Sequence, residues 1–210
     1  MTAFARRLAI FAGCGVLTGA AAASLCSLLR LGEPAAIEIA GYCIGIMPSS
    51  YSRCGTVDSA FYLFPGLVFG VVFGPLLRLH GVFGTAAAAG YAAAAMLANA
   101  AAVVVCTGLQ HPIDDLLPFD NPVLDMAVAG VIGGGLGGFL LGLAQAGLAA
   151  AWPRLLPVAV GAGLGALTPT MLMFESPGAF AFYMIWQGGY AAAIVAALPR
   201  PAPGVTSPTA

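Results

Sequence analysis

Few residues in this chain could do chemistry, and they cluster. The first cluster is "FYMIWQGGY", residues 182–190. Trp186 and Gln187 stand near the middle of an uncharged run, and Gly188 and Gly189 open space beside Tyr190. An aromatic face next to one amide is how a pocket orients a small, mostly apolar ligand. Asn99 is a second amide inside an uncharged run, and Gln145 a third. The simpler reading of all three amides is hydrogen bonding between helices, because an unpaired amide in lipid is costly. The candidate ligand-binding set is therefore Trp186, Gln187, Tyr190 and Asn99.

Two more groups lie outside the uncharged runs. Cys43 and Cys54 fall in "GYCIGIMPSSYSRCGTVDS". In an oxidising compartment they would form a structural disulfide, stabilising the loop by roughly 2–3 kcal/mol. A redox-active pair normally has the close CxxC spacing, which is missing. Cys14, Cys26 and Cys106 read as small apolar fillers. The segment "QHPIDDLLPFDNP" offers His111, Asp114, Asp115 and Asp120, all competent ligands for a divalent cation. No known ligand spacing is present, so the segment reads as an acidic cap. Asp120 or Asn121 would start the next helix before Pro122. No metal and no cofactor is assigned.

The missing motifs narrow the class further. There is no GxxxxGK[ST] loop, so the chain is not an ATPase by itself. There is no Ser-His-Asp pattern, no HExxH and no pair of intramembrane aspartates, so no catalytic residue is assigned. No Asp, Glu, Lys, Arg or His lies in the middle of an uncharged run. Proton relays rely on such residues, which disfavours proton-driven transport.

The elements that must position these residues follow from composition. The chain has 210 residues, 60% of them hydrophobic and 7% charged. Soluble domains carry about 25% charged residues. Lipid is the solvent that suits this surface. A net charge of −1 gives no basic field for nucleic acid. Charged residues bracket uncharged runs long enough to cross a bilayer as helices. The expected fold is an all-α polytopic bundle with spans near 8–29, 59–79, 82–106, 126–150, 155–174 and 178–198. Outer loops would cover 30–58 and 107–125, and 199–210 would be a disordered tail. Transmembrane strands would need short alternating segments, which are absent.

Arginine placement sets the expected orientation. Arg6, Arg7, Arg78, Arg154 and Arg200 would be cytoplasmic, with Arg30 and Arg53 outside. Both termini are then cytoplasmic, and all eight acidic residues fall outside or at the outer rim. The seven arginines with no lysine, in an alanine- and glycine-rich chain, point to a bacterial inner membrane. "MTAFARRLAIFAGCGVLTGAAAASLCS" also reads as a cleavable secretory signal, and cleavage would leave five spans.

Glycines recur every four residues in two spans: Gly66, Gly70 and Gly74, then Gly130, Gly134, Gly138 and Gly142. Such faces let backbones approach in lipid, where packing drives association. Spans two and four are the expected neighbours. Pro65, Pro75, Pro157 and Pro169 are places where spans two and five could break to expose backbone to a substrate. Six spans, tiny cytoplasmic loops and Gly/Ala-rich helices resemble the general plan of substrate-binding subunits in energy-coupling-factor transporters, a likeness of architecture that no motif carries. The leading expectation is a membrane protein binding or passing a small solute, beside other membrane subunits or a second copy of itself. The alternatives are a scaffold or assembly factor that packs against a partner, and a periplasm-facing thiol-redox protein.

Overall fold

The computed structural model describes residues 2–28, 37–39, 42–44, 59–116, 121–149, 155–169 and 175–197. These include six helices: α1 Ala3–Leu28, α2 Ser59–Leu79, α3 Thr85–Leu116, α4 Pro122–Ala149, α5 Leu155–Gly165 and α6 Glu175–Ala197. Three of them contain apolar stretches long enough to cross a membrane: Phe4–Leu25, Thr85–Leu109 and Pro122–Gln145. The outer surface is apolar as well. Leu17 is 71% exposed, Leu97 62%, Val71 55% and Ile185 51%. A soluble bundle would place charge at such positions.

Local chemistry explains the helix ends. The Thr2 hydroxyl accepts the Ala5 N–H at 3.2 Å, and the Asn121 side chain accepts the N–H groups of Val123 and Leu124 at 3.1 and 3.2 Å. Asn121 is thus the cap of α4, and Pro122 takes the first helical position, where its missing N–H costs nothing. Gly81, at φ 71°, ends α2. Its N–H bonds to the Arg78 carbonyl and the Val82 N–H reaches back to Leu77 at 2.8 Å, which satisfies two orphan carbonyls. The chain then turns directly into α3.

The helices form a closed ring. Each packs against its neighbours in sequence, and α6 closes the circle against α1. The glycine contacts define antiparallel registers. On α2, Gly66, Gly70 and Gly74 face Ala95, Ala92 and Ala88 of α3 in turn. On α4, Gly130, Gly134 and Gly138 face Gly165, Gly161 and Pro157 of α5. On α1, Gly15 and Gly19 face Gln187 and Tyr183 of α6. At nearly every one of these glycines an added β-carbon would fall within 3.0 Å of backbone. Gly142 is buried on the same helix as the α4 series.

The structure departs from the sequence expectation in five places. Spans two and four do not share a glycine seam; each stripe packs on the next helix in the chain, because short connections fold α3 back on α2 and α5 back on α4. Much of the stretch expected as loop 107–125 is helical: α3 runs to Leu116 through Pro112, and α4 begins at Pro122. Polarity marks where a membrane would end, but it does not stop a helix. The helix of the fifth span is shorter than the expected 155–174. It ends at Gly165, and tight bonds from Leu167 and Thr168 to Leu164 and Gly165 turn the chain before Pro169. The second span is unbroken at Pro65 and Pro75. The loop expected at 30–58 also holds two short strands beside the helical bundle. β1 Ile37–Ile39 pairs antiparallel with β2 Tyr42–Ile44, Glu38 opposite Cys43, and β2 lies against α3.

Candidate functional site

The centre of the ring is built around α6. Its buried residues recur at spacings of three and four: Tyr183, Trp186 with Gln187, Tyr190 with Ala191, and Ile194. This places one face of α6 inside the ring rather than in its wall. α3 contributes a matching face of Ala88, Tyr91, Ala95, Ala98 and Ala102. The alanines keep α3 thin, so Tyr91 is the large group on that side.

Aromatic rings fill the space between them. Trp186 stacks on Tyr190 with centroids 5.6 Å apart and planes at 17°. Phe69 of α2 meets Tyr190 edge-on at 6.1 Å and stacks on Phe73 at 4.2 Å. Phe83, in the turn before α3, covers Tyr91 at 5.2 Å. Tyr91 and Tyr190 belong to one buried core cluster.

Polar groups are set into this apolar surround. Gln187 is fully buried, and its Nε2 donates to the Pro65 carbonyl at 2.9 Å. The Tyr190 hydroxyl donates to the Gly138 carbonyl at 2.8 Å. These bonds tie α6 to α2 and to α4 across the ring. Two atoms are different. The Oε1 of Gln187 and the hydroxyl of Tyr91 are buried without a hydrogen-bond partner among the described residues. Leaving such a group unsatisfied costs about 1–3 kcal/mol, so natural proteins rarely keep one without a reason.

No protein-family model, no curated protein and no solved structure matches this chain. Its chemistry has to be read from its own residues. Trp186, Gln187 and Tyr190 come together as one cluster. Asn99 lies in the α2/α3 seam beside Gly66, next to the carbonyl that Gln187 holds. The cluster gains Phe69, Phe73 and Tyr91, which the sequence reading did not single out. A signal for Tyr91 existed: it sits on the buried heptad-like face of α3, where every other member is alanine.

Other candidates resolve differently. Among the described residues no three His, Cys, Asp or Glu side chains could hold a metal ion. Asp120 and the side chains of His111 and Asp114 lie outside the described residues. So do Cys54 and the Cys43 side chain, and with them the pairing of Cys43 with Cys54. Cys14 and Cys106 are free thiols within the bundle. Asp125 is buried in the first turn of α4. The N-terminal end of a helix is the favourable place for a carboxylate.

Proposed function

We propose that this chain is a bacterial inner-membrane protein that binds or passes a small, mostly apolar solute at the centre of its helix ring. In this reading the bundle lies in the bilayer with the arginine-bearing end and both termini in the cytoplasm, and the 11-residue α5 covers only part of the membrane's depth. The solute lies against Trp186, Tyr190 and Phe69. It carries a donor for Gln187 Oε1 and a polar atom for the Tyr91 hydroxyl. The single observation that carries this is the pair of buried polar atoms, Gln187 Oε1 and the Tyr91 hydroxyl, that have no partner among the described residues and lie in an aromatic surround. The protein acts without catalysis and supplies the binding step of a larger transport system.

The scaffold alternative needs glycine seams free for a partner. The stripes on α2, α4 and α1 meet helices of the same chain, so no partner is required to cover them.

The test is extraction of purified protein. Wild type and a Gln187→Leu, Tyr91→Phe double variant are isolated from the same membranes, and their small-molecule content is compared by mass spectrometry. The solute reading expects a compound held in near-stoichiometric amount by wild type and absent from the variant. Identical extracts overturn it.

A further inference from the structure

One corner of the molecule carries positive charge that no described carboxylate neutralises. Arg7 stands one helical turn before Phe11 on α1, so the two share a face. The Phe11 ring packs against Phe73 at 5.8 Å and against the His80 imidazole at 5.2 Å. Stacking thus holds His80 at the end of α2, where the Gly81 turn leaves it facing α1. Arg7 is close enough for its charge to act on His80. Arg78 and Arg6 are exposed at the same end.

Among the described residues the carboxylates lie at the far end of the bundle. α1 and α2 contain none, and the register of the helices carries Asp115, Asp125 and Glu175 to the opposite end. Among the described residues none of Arg6, Arg7 and Arg78 pairs with a carboxylate. Exposed apolar side chains flank the corner: Phe4 and Ile10 on α1, and Leu79 at 83% exposure on α2. Cations from two helices, set above apolar surface, match a lipid whose phosphate sits at the interface and whose chains run along the protein.

We propose that Arg7 and His80, with Arg78 beside them, hold the headgroup phosphate of an anionic phospholipid at the α1/α2 corner. This rests on the membrane placement proposed above and is independent of the solute. Burial first, and the Arg7 charge second, hold the His80 pKa below its ordinary value. Of the ionisable groups at this end, Arg7 of α1 acts on the imidazole, Arg6 and Arg78 are exposed, and the first turn of α3 carries none. A phosphate anion seated between Arg7 and His80 reverses that repulsion and favours the imidazolium.

The chain has two histidines, so His80 and His111 can be titrated separately by NMR, with His111→Asn assigning the signals. The full-length protein is placed in nanodiscs of phosphatidylcholine, or of phosphatidylcholine with phosphatidylglycerol. Both histidines feel the general surface potential, and His111 is the control. The proposal expects the His80 midpoint to rise by about one pH unit more than that of His111, a tenfold preference. In Arg7→Gln this excess should collapse. If Arg7 only repels His80, the variant raises the midpoint equally in both lipids and the excess persists, which overturns the proposal. Equal shifts at His80 and His111 overturn it too. A rise produced by inorganic phosphate over phosphatidylcholine alone overturns the lipid assignment in favour of a soluble phosphate.

Discussion

Replacing Gly70 with alanine adds one methyl group at the point where α2 crosses α3. A β-carbon built there lies 2.5 Å from the Ala92 α-carbon and 3.0 Å from the Ala92 carbonyl oxygen and the Ala95 β-carbon. Ordinary contact begins at 3.4 Å, so the helices must separate by about 0.9 Å. A gap of roughly 0.5–1 Å removes a quarter to a half of the dispersion energy of each affected atom pair. Overpacked sites of this kind lose about 1–3 kcal/mol. Alanine returns up to about 1 kcal/mol through its higher helix propensity. The net expectation is a loss of about 1–2 kcal/mol, by difference of those two effects. Gly13 is the internal control, because a β-carbon there meets nothing within 4 Å. Gly13→Ala should be neutral or stabilising. The assay is titration of the purified protein from mild micelles into sodium dodecyl sulfate, followed by far-UV circular dichroism. If Gly70→Ala proves as stable as Gly13→Ala, the α2/α3 seam is not the tight contact described above.

Further outcomes follow from single contacts. Tyr190→Phe removes the bond to Gly138 and should cost about 0.5–1.5 kcal/mol in the same titration, the range of interhelical bonds in membranes. Tyr91→Phe removes a hydroxyl without a described partner, so the ligand-free protein should be no less stable, and a clear loss would show that the hydroxyl is already satisfied. Asn121→Ala strips the α4 cap and should lower stability by about 1 kcal/mol, whereas Asn121→Asp should retain it. His80 is held below its ordinary value of 6.5 in the folded protein, so the unfolded chain takes up the proton first. In nonionic micelles stability should therefore be full above about pH 6.5 and decline as pH falls through and below it. His80→Phe should flatten that decline in thermal melts taken across the range.

The helices were legible because charge is confined to their ends. Ser59–Leu79 coincides with the uncharged run read as 59–79, and the Gly81 turn follows directly. The far end of α3 was not legible by the same rule. Gln110 to Leu116 is polar enough to leave an apolar phase, yet its backbone stays helical. The glycine period showed which face of α2 is flat but not what lies on it. The connection 80–84 held that answer, since so short a turn leaves α3 as the nearest surface.

Sequence alone determined the solvent this chain suits, the positions of most helices and the segregation of arginines from carboxylates. Those properties are local: each depends on the residue types along one run. Tertiary structure decided how the amides and hydroxyls are used. Gln187 is simply a buried amide in the sequence. In the ring one end of that amide is bonded to Pro65 and the other has no described partner. Tyr91 is a lone phenol on an alanine-rich helix until folding places it in one buried core with Tyr190 of α6. That meeting depends on α6 closing the ring against α1, a contact between opposite ends of the chain that no local pattern encodes.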